Sequence, residues 1–207
     1  MNVLVLSPHT DDGEYGCGGS IARFVSEEKD VFYVAFSMAK KSVPSEYPQD
    51  ILRSEVKEAT SVLGIKEKNL ILFDYAVREF PDNRQSILDD ILSLKKEFKP
   101  DMVLLPSTCD THQDHQVIVQ EGFRAFKDAT MIGYEVPRNN LDFLTNVFVT
   151  LDEKQLQLKL KSVECYRSQM GRLASSAEFY ESLARVRGVQ VGVKYAEVFE
   201  AIRWVMK

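Results

Sequence analysis

Short apolar runs alternate with longer amphipathic ones from the first residues onward, and this alternation restricts the chain to a narrow set of folds. VLVL (3–6), VFYVAFS (31–37), LILF (70–73) and MVLLP (102–106) are rich in Val, Leu and Phe, as strands covered on both faces are. Between them, residues 19–28, 46–63 and 84–98 carry helical patterns. Ile51, Leu52, Val56, Ala59, Val62 and Leu63 recur at helical spacing before Gly64, and Ile87, Leu88, Ile91, Leu92 and Leu94 do so before Pro100. A strand–helix–strand repeat of this kind demands right-handed crossovers. The expected fold is therefore α/β and Rossmann-like, a mostly parallel sheet with helices on both faces. After residue 115 the pattern predicts a helix (116–127), strands at 131–136 and 146–151, a helix at 153–167, and from 176 a further helix before KYAEVFEAIR. No repeat, low-complexity segment or linker interrupts the 207 residues, which read as a single domain, 1–207.

Bulk properties remove several classes of function. Net charge is −5, so there is no basic field for a nucleic-acid backbone or an anionic membrane. No apolar run approaches the ~20 residues of a membrane span. The start, MNVLVLSPH, lacks the basic flank and cleavage site of a secretory signal. Three cysteines, Cys17, Cys109 and Cys165, make no disulfide framework and suit a reducing compartment. A cytoplasmic protein acting on a small molecule is expected, with no nucleic acid and no membrane insertion. The 12 Phe and 8 Tyr suit a large core or a homo-oligomer face.

The chemistry concentrates in two loops. In an open parallel sheet, ligands sit off the carboxyl ends of the strands. SPHTDDGEYGCGGS (7–20) follows the first strand and STCDTHQDH (107–115) follows the fourth. The chain has three histidines, His9, His112 and His115, and all fall in these two loops beside aspartates. Two neutral imidazoles and a carboxylate make a three-ligand catalytic metal site with a position left for water. His9 and Asp12 would supply two ligands, and either His112 or His115 the third. Asp11 is then available to take a proton from the water. The remaining histidine can serve the oxygen that gains charge in a tetrahedral transition state. Asp114, between the two histidines, could fix the tautomer of one of them. Zinc and iron(II) both suit such a ligand set.

The glycines invite a rival reading as a phosphate cradle, which fails on detail. Gly13 and Gly18 have the P-loop separation, but Gly19 stands where the phosphate-reaching lysine should be, and Ile21 stands where a dinucleotide fold needs its third glycine. Gly16, Gly18 and Gly19 are expected instead to allow a sharp turn from strand to helix and close packing. Neither GxSxG nor HExxH occurs, against a serine hydrolase or a zincin.

These residues resemble the PIG-L/LmbE family of zinc-dependent de-N-acetylases. The family's His-Pro-Asp-Asp-Glu signature with its following Gly-Cys-Gly-Gly is similar to His9-Thr10-Asp11-Asp12-Gly13 and Gly16-Cys17-Gly18-Gly19, and its His-x-Asp-His to His112-Gln113-Asp114-His115. Weaker likenesses are Arg53-Ser54-Glu55 with Leu63-Gly64, Lys159 with Ser168-Gln169, and Arg187-Gly188 with Tyr195-Ala196-Glu197-Val198-Phe199. The resemblance implies metal ligands His9, Asp12 and His115, Asp11 as general base, His112 assisting the oxyanion or leaving amine with Asp114 behind it, and Arg53 as a sugar contact. It implies removal of an acetyl group from an N-acetylated amino sugar or its conjugate. Thr10 and Gly13 depart from the family's proline and glutamate, and Glu14 lies one place later. Competing readings are a metal-dependent phosphoesterase, which would often need two metals, and a sugar-binding domain without turnover.

Among the remaining residues, Trp204 is expected to cover core. The segment YAVREFPDNR (75–84) is expected to form a loop at the rim, with Tyr75, Arg78 and Asp82 the residues of interest.

Overall fold

The structure, a computed structural model, describes residues 1–171 and 176–206. Seven strands form one sheet: β1 (Asn2–His9), β2 (Asp30–Ser37), β3 (Leu70–Leu72), β4 (Met102–Pro106), β5 (Thr130–Tyr134), β6 (Val147–Leu151) and β7 (Tyr195–Arg203). Their order is β3-β2-β1-β4-β5-β7-β6. The first five run parallel, and β7 pairs antiparallel with both β5 and β6. The helices are α1 (Asp12–Ser26), α2 (Ile51–Val62), α3 (Arg84–Phe98), α4 (Gln113–Ala125), α5 (Glu153–Glu164) and α6 (Ala177–Val189).

The strands show why a near-continuous apolar run is needed. In β1, Val3 and Val5 join one core cluster while Leu4 and Leu6 join the other, so successive residues are buried on opposite faces. The first cluster lies under α1 and α2, the second under α3 and α4. Each fully buried Val, Leu or Ile contributes about 1.5–3 kcal/mol relative to exposure. In α3, Ile87, Leu88, Ile91 and Leu94 face the core, but Leu92, one place off that stripe, is 44% exposed. The helix ends at Lys99, a left-handed C-terminal residue (φ 44°), and Pro100 cannot continue it.

Two expectations are corrected. The chain turns out of β1 at Thr10 and Asp11, and α1 begins at Asp12, so the glycines lie inside the helix rather than forming the turn. Their use is close approach: a Cβ on Gly16 would stand 2.2 Å from Cδ2 of Tyr134. The helix kinks at Cys17, whose φ is −145°. Trp204 does not cover core; it is 61% exposed, just beyond the last strand. Among the described residues, no helix is long and apolar enough to cross a membrane.

The order β2-β1-β4 matters most for the site. Connections leave β1 toward one side and reach β4 on the other, so β1 and β4 flank the point where strand order reverses. A crevice opens there, outside the carboxyl ends of the strands. His9 closes β1, and the segment 107–115 follows β4.

Candidate metal centre

The two loops meet at one carboxylate. Oδ2 of Asp12 accepts the backbone N–H of His9 at 2.9 Å, which fixes the carboxylate against the strand end. The same oxygen lies 3.0 Å from Nδ1 of His9 and 3.1 Å from Nε2 of His115, and those two nitrogens are 3.3 Å apart. Three donors at tetrahedral angles and bond lengths of ~2.0–2.2 Å are separated by about 3.3–3.6 Å. The observed triangle therefore fits a zinc-like ion with little adjustment. Oδ1 of Asp12, also buried, has no hydrogen-bond partner.

Each imidazole is held from behind. Nε2 of His9 pairs with Oδ2 of Asp114 at 2.9 Å, and Nδ1 of His115 with Oδ2 of Asp110 at 2.7 Å. A carboxylate on the far nitrogen fixes ring orientation and makes a histidine a better ligand. The backbone N–H groups of Arg78 (2.6 Å) and Phe80 (3.4 Å) hold Asp114, so the rim loop anchors this second layer. Of the other rim residues, Tyr75 donates to Asp90 at 2.5 Å. Asp114 stands behind His9 and not behind His112; only its backbone N–H reaches His112, donating to Nδ1 at 3.1 Å. Asp110 escaped the sequence reading. Its signal was there, an aspartate five residues before His115 in STCDTHQDH.

The electrostatics show a site that calls for positive charge. Burial alone would raise the pKa of Asp12, but His115 and His9 draw it well below the carboxylate range. Burial alone would lower His115, but Asp12 and Asp110 outweigh it and lift it to about 10. His9 is likewise raised: burial opposes the shift, and Asp12 and Asp114 prevail. His112 behaves oppositely. Burial and repulsion from His115 and His9 push it down to about 4. Its Nδ1 accepts a backbone proton, so the neutral ring carries its own proton on Nε2.

Asp11 stands at the N-cap of α1 but makes no side-chain capping bond. Burial, then the neighbouring Asp12, raises its pKa, with His9 and Arg138 opposing. With His9, Thr10, His112, Arg138 and Gln169 it lines a cleft of about 70 Å³. Arg53 does not line that cleft. It is exposed on α2, and its neighbour Leu52 reaches the wall instead. The arginine at the cleft is Arg138.

Gly13 and Glu14 form a pair. A Cβ at Gly13 would stand 2.5 Å from the ring of Tyr33, so Tyr33 excludes any side chain there. Glu14 turns inward and accepts the hydroxyls of Tyr33 and Tyr166. Burial raises its pKa to about 8 although both tyrosines favour the ionised form. Both hydroxyl oxygens also lie within hydrogen-bond distance of the carbonyl of Thr10, at 2.9 and 2.6 Å, so each single proton is shared between Glu14 and the turn that carries Asp11.

Most of the weaker sequence likenesses are scaffold, while Gln169 also reaches the cleft. Glu55 accepts the backbone N–H and hydroxyl of Ser168, Arg187 pairs with Glu135, and Lys159 with Glu197.

Known proteins match this chain along its length. Residues 4–126 match the family model described as PIG-L: GlcNAc-PI de-N-acetylase. The chain is 27% identical over 172 residues to the uncharacterized deacetylase YaiS of Escherichia coli (strain K12), covering 80% of this chain and 90% of that one. It is 24% identical to the diacetylchitobiose deacetylase of Thermococcus kodakarensis, covering 94% and 80%. Among solved structures, the conserved protein TT1542 from Thermus thermophilus superimposes with a TM-score of 0.78 at 23% identity, over 99% of this chain and 96% of that one. The 4-carboxy-2-hydroxymuconate hydratase GalB from Pseudomonas putida KT2440 does so with a TM-score of 0.77 at 18% identity, over 100% and 98%. One architecture thus carries more than one reaction, and the choice of reaction rests on the site.

Proposed function

Since the chain belongs to the PIG-L family, we propose that it is a metal-dependent hydrolase that removes the acetyl group from the amine of an N-acetylated amino sugar or its conjugate, the whole of 1–207 acting as one deacetylase domain. One observation carries the reading: the triangle of His9 Nδ1, Asp12 Oδ2 and His115 Nε2, 3.0–3.3 Å on its edges, with a carboxylate behind each imidazole. These three residues would hold the ion. One ring nitrogen from each of the three histidines also lies within 4.8 Å of the others. The set containing Asp12 is favoured because a carboxylate offsets the ion's charge, and because Nδ1 of His112 is already used by a backbone N–H.

A divalent ion held there supplies a Lewis acid for the acyl carbonyl and for the attacking water. The chain's own residues do the rest. Asp11, its carboxylate made more basic by burial and by Asp12, takes the water's proton. His112, neutral with its proton on Nε2, donates a hydrogen bond to the oxygen that gains charge. With its pKa pushed down to about 4, the ring carries no imidazolium proton at neutral pH to give to the leaving amine. The protonated Asp11 then returns the proton to the departing amine, which leaves poorly otherwise.

A phosphoesterase with two metals has less support: among the described residues one group of donors lies close enough for a metal. The deciding experiment is release of acetate from N-acetylglucosamine and its conjugates by protein loaded with zinc or iron(II). Acetate should appear, should stop with a chelator and should return with the metal. Metal-loaded protein that releases no acetate from any N-acetylated amino sugar refutes the reading.

A further inference from the structure

The catalytic cleft, at about 70 Å³, lies well below the roughly 300–1,000 Å³ of ligand-sized pockets, so it takes the acetamido end of a substrate and not a whole conjugate. The rest of any substrate must extend beyond it. Beside the cleft lies a cavity of about 600 Å³, between the segment after β5 (Val136, Pro137, Arg138) and the start of α6 (Ser176 to Ser182), with Tyr15 of α1 at the back. Arg138 is common to the linings of both spaces.

The lining of the larger cavity specifies a chemistry. Val136 and Tyr180 are buried at its wall, and Tyr15 stacks on Tyr180 with ring centres 5.1 Å apart and planes 15° apart. Phe179 is 38% exposed at its rim. Its charged groups, Arg138 and Glu178, have opposite signs and give no net attraction for a phosphate or a dicarboxylate. A cavity in the range of small-molecule sites, walled by aromatic and aliphatic groups with few polar ones, recognises apolar surface.

Resting on the deacetylase reading, we propose that this cavity receives the group attached to the amino sugar, and that this group is an aryl or alkyl moiety rather than a phosphate, a dicarboxylate or a second sugar. The acetamido group enters the cleft, the sugar ring passes Arg138, and the apolar group packs against Val136, Phe179 and the Tyr15–Tyr180 stack. Burial of that group beyond the reacting centre raises kcat/KM.

The test compares acetate release from N-acetylglucosamine, its phenyl and octyl glycosides, its 1-phosphate and N,N'-diacetylchitobiose. Hydrophobic pockets discriminate by roughly 10–200-fold per group, so the phenyl or octyl glycoside should exceed the free sugar in kcat/KM by at least about tenfold. Ser182 is exposed on α6, so Ser182→Trp can narrow the cavity without touching the core. In Ser182→Trp and in Phe179→Ala the ratio of glycoside to free sugar should fall toward one. Equal kcat/KM for free sugar and apolar glycoside overturns the proposal, as does preference for the phosphate or the disaccharide, or a ratio unchanged in both variants. If no compound releases acetate, the deacetylase reading fails. Calorimetry of the metal-loaded protein with the octyl glycoside then decides the cavity separately: binding that Ser182→Trp abolishes supports it, and no binding, or binding unaltered by that variant, overturns it.

Discussion

Two buried clusters of charge touch α1, and they are built in opposite ways. At Lys159 and Glu197 every group is answered. Nζ of Lys159 donates to the carbonyl of Tyr15 and to Glu197, and Glu197 accepts the backbone N–H groups of Gly19 and Ser20 and the hydroxyl of Ser20. At His9, Asp12 and His115, two imidazole nitrogens converge on one oxygen and the other oxygen of Asp12 has no partner. Burying charge is costly in both places. The closed network ties β7 and α5 to α1 and asks for nothing more. The open one leaves a buried carboxylate oxygen without a partner, and its donors are spaced as a metal ion would need. Burial and charge are common to both, so local satisfaction is what separates scaffold from site.

The contrast is broken most forcefully at Lys159. Lys159→Met leaves Glu197 buried and unpaired, a change that typically costs about 3–5 kcal/mol. Chemical denaturation should show that loss, while the purified variant keeps its full metal content. A variant that lost its metal at wild-type stability would place Lys159 with the site.

Asp110→Asn sharpens the other side. Losing the carboxylate behind a histidine ligand lowers metal affinity by roughly 10–100-fold. Competition with a calibrated chelator should report this, with acetate release recovering at higher metal concentration. Unchanged affinity would mean that the bond from Asp110 to His115 is structural only.

The smallest effect is expected where charge is neither closed in nor buried. Arg167 pairs with Glu58, with side chains 58% and 45% exposed. Arg167→Ala should lower stability by only about 0.2–1 kcal/mol, and less in high salt. A loss matching that of Lys159→Met would contradict the role given to burial.

Much of this was legible in the sequence because the signals are local. Strand and helix periods placed β1 to β4 and α2 to α3, and from them the edge on which His9 and His115 meet. Packing decided what periodicity could not. Gly16, Gly18 and Gly19 read as a closely packed turn; the close packing holds, but the three lie inside α1 and the turn is at Thr10 and Asp11. Asp114 adjoins both histidines of its own loop in sequence, yet in space it serves His9 from the other loop. Asp110 has no signature in the sequence beyond its place five residues before His115, because a carboxylate behind a ligand obeys no spacing rule of its own. Arg53 and Arg138 could not be ranked without knowing which helix face and which loop line the cleft.

The most direct test is the divalent-ion content of Asp12→Asn and Asp11→Asn, measured beside their acetate-release rates. A neutral amide is a poor ligand, so Asp12→Asn should lose the ion and with it all activity. Asp11→Asn should keep one ion per chain and lose about 10²–10⁴-fold in kcat, the usual effect of removing a positioned acid–base group. The reverse pattern, with Asp11→Asn metal-free and Asp12→Asn metal-bound, would contradict the assignment of the two carboxylates. Full activity in Asp11→Asn would show that Asp11 is not the base.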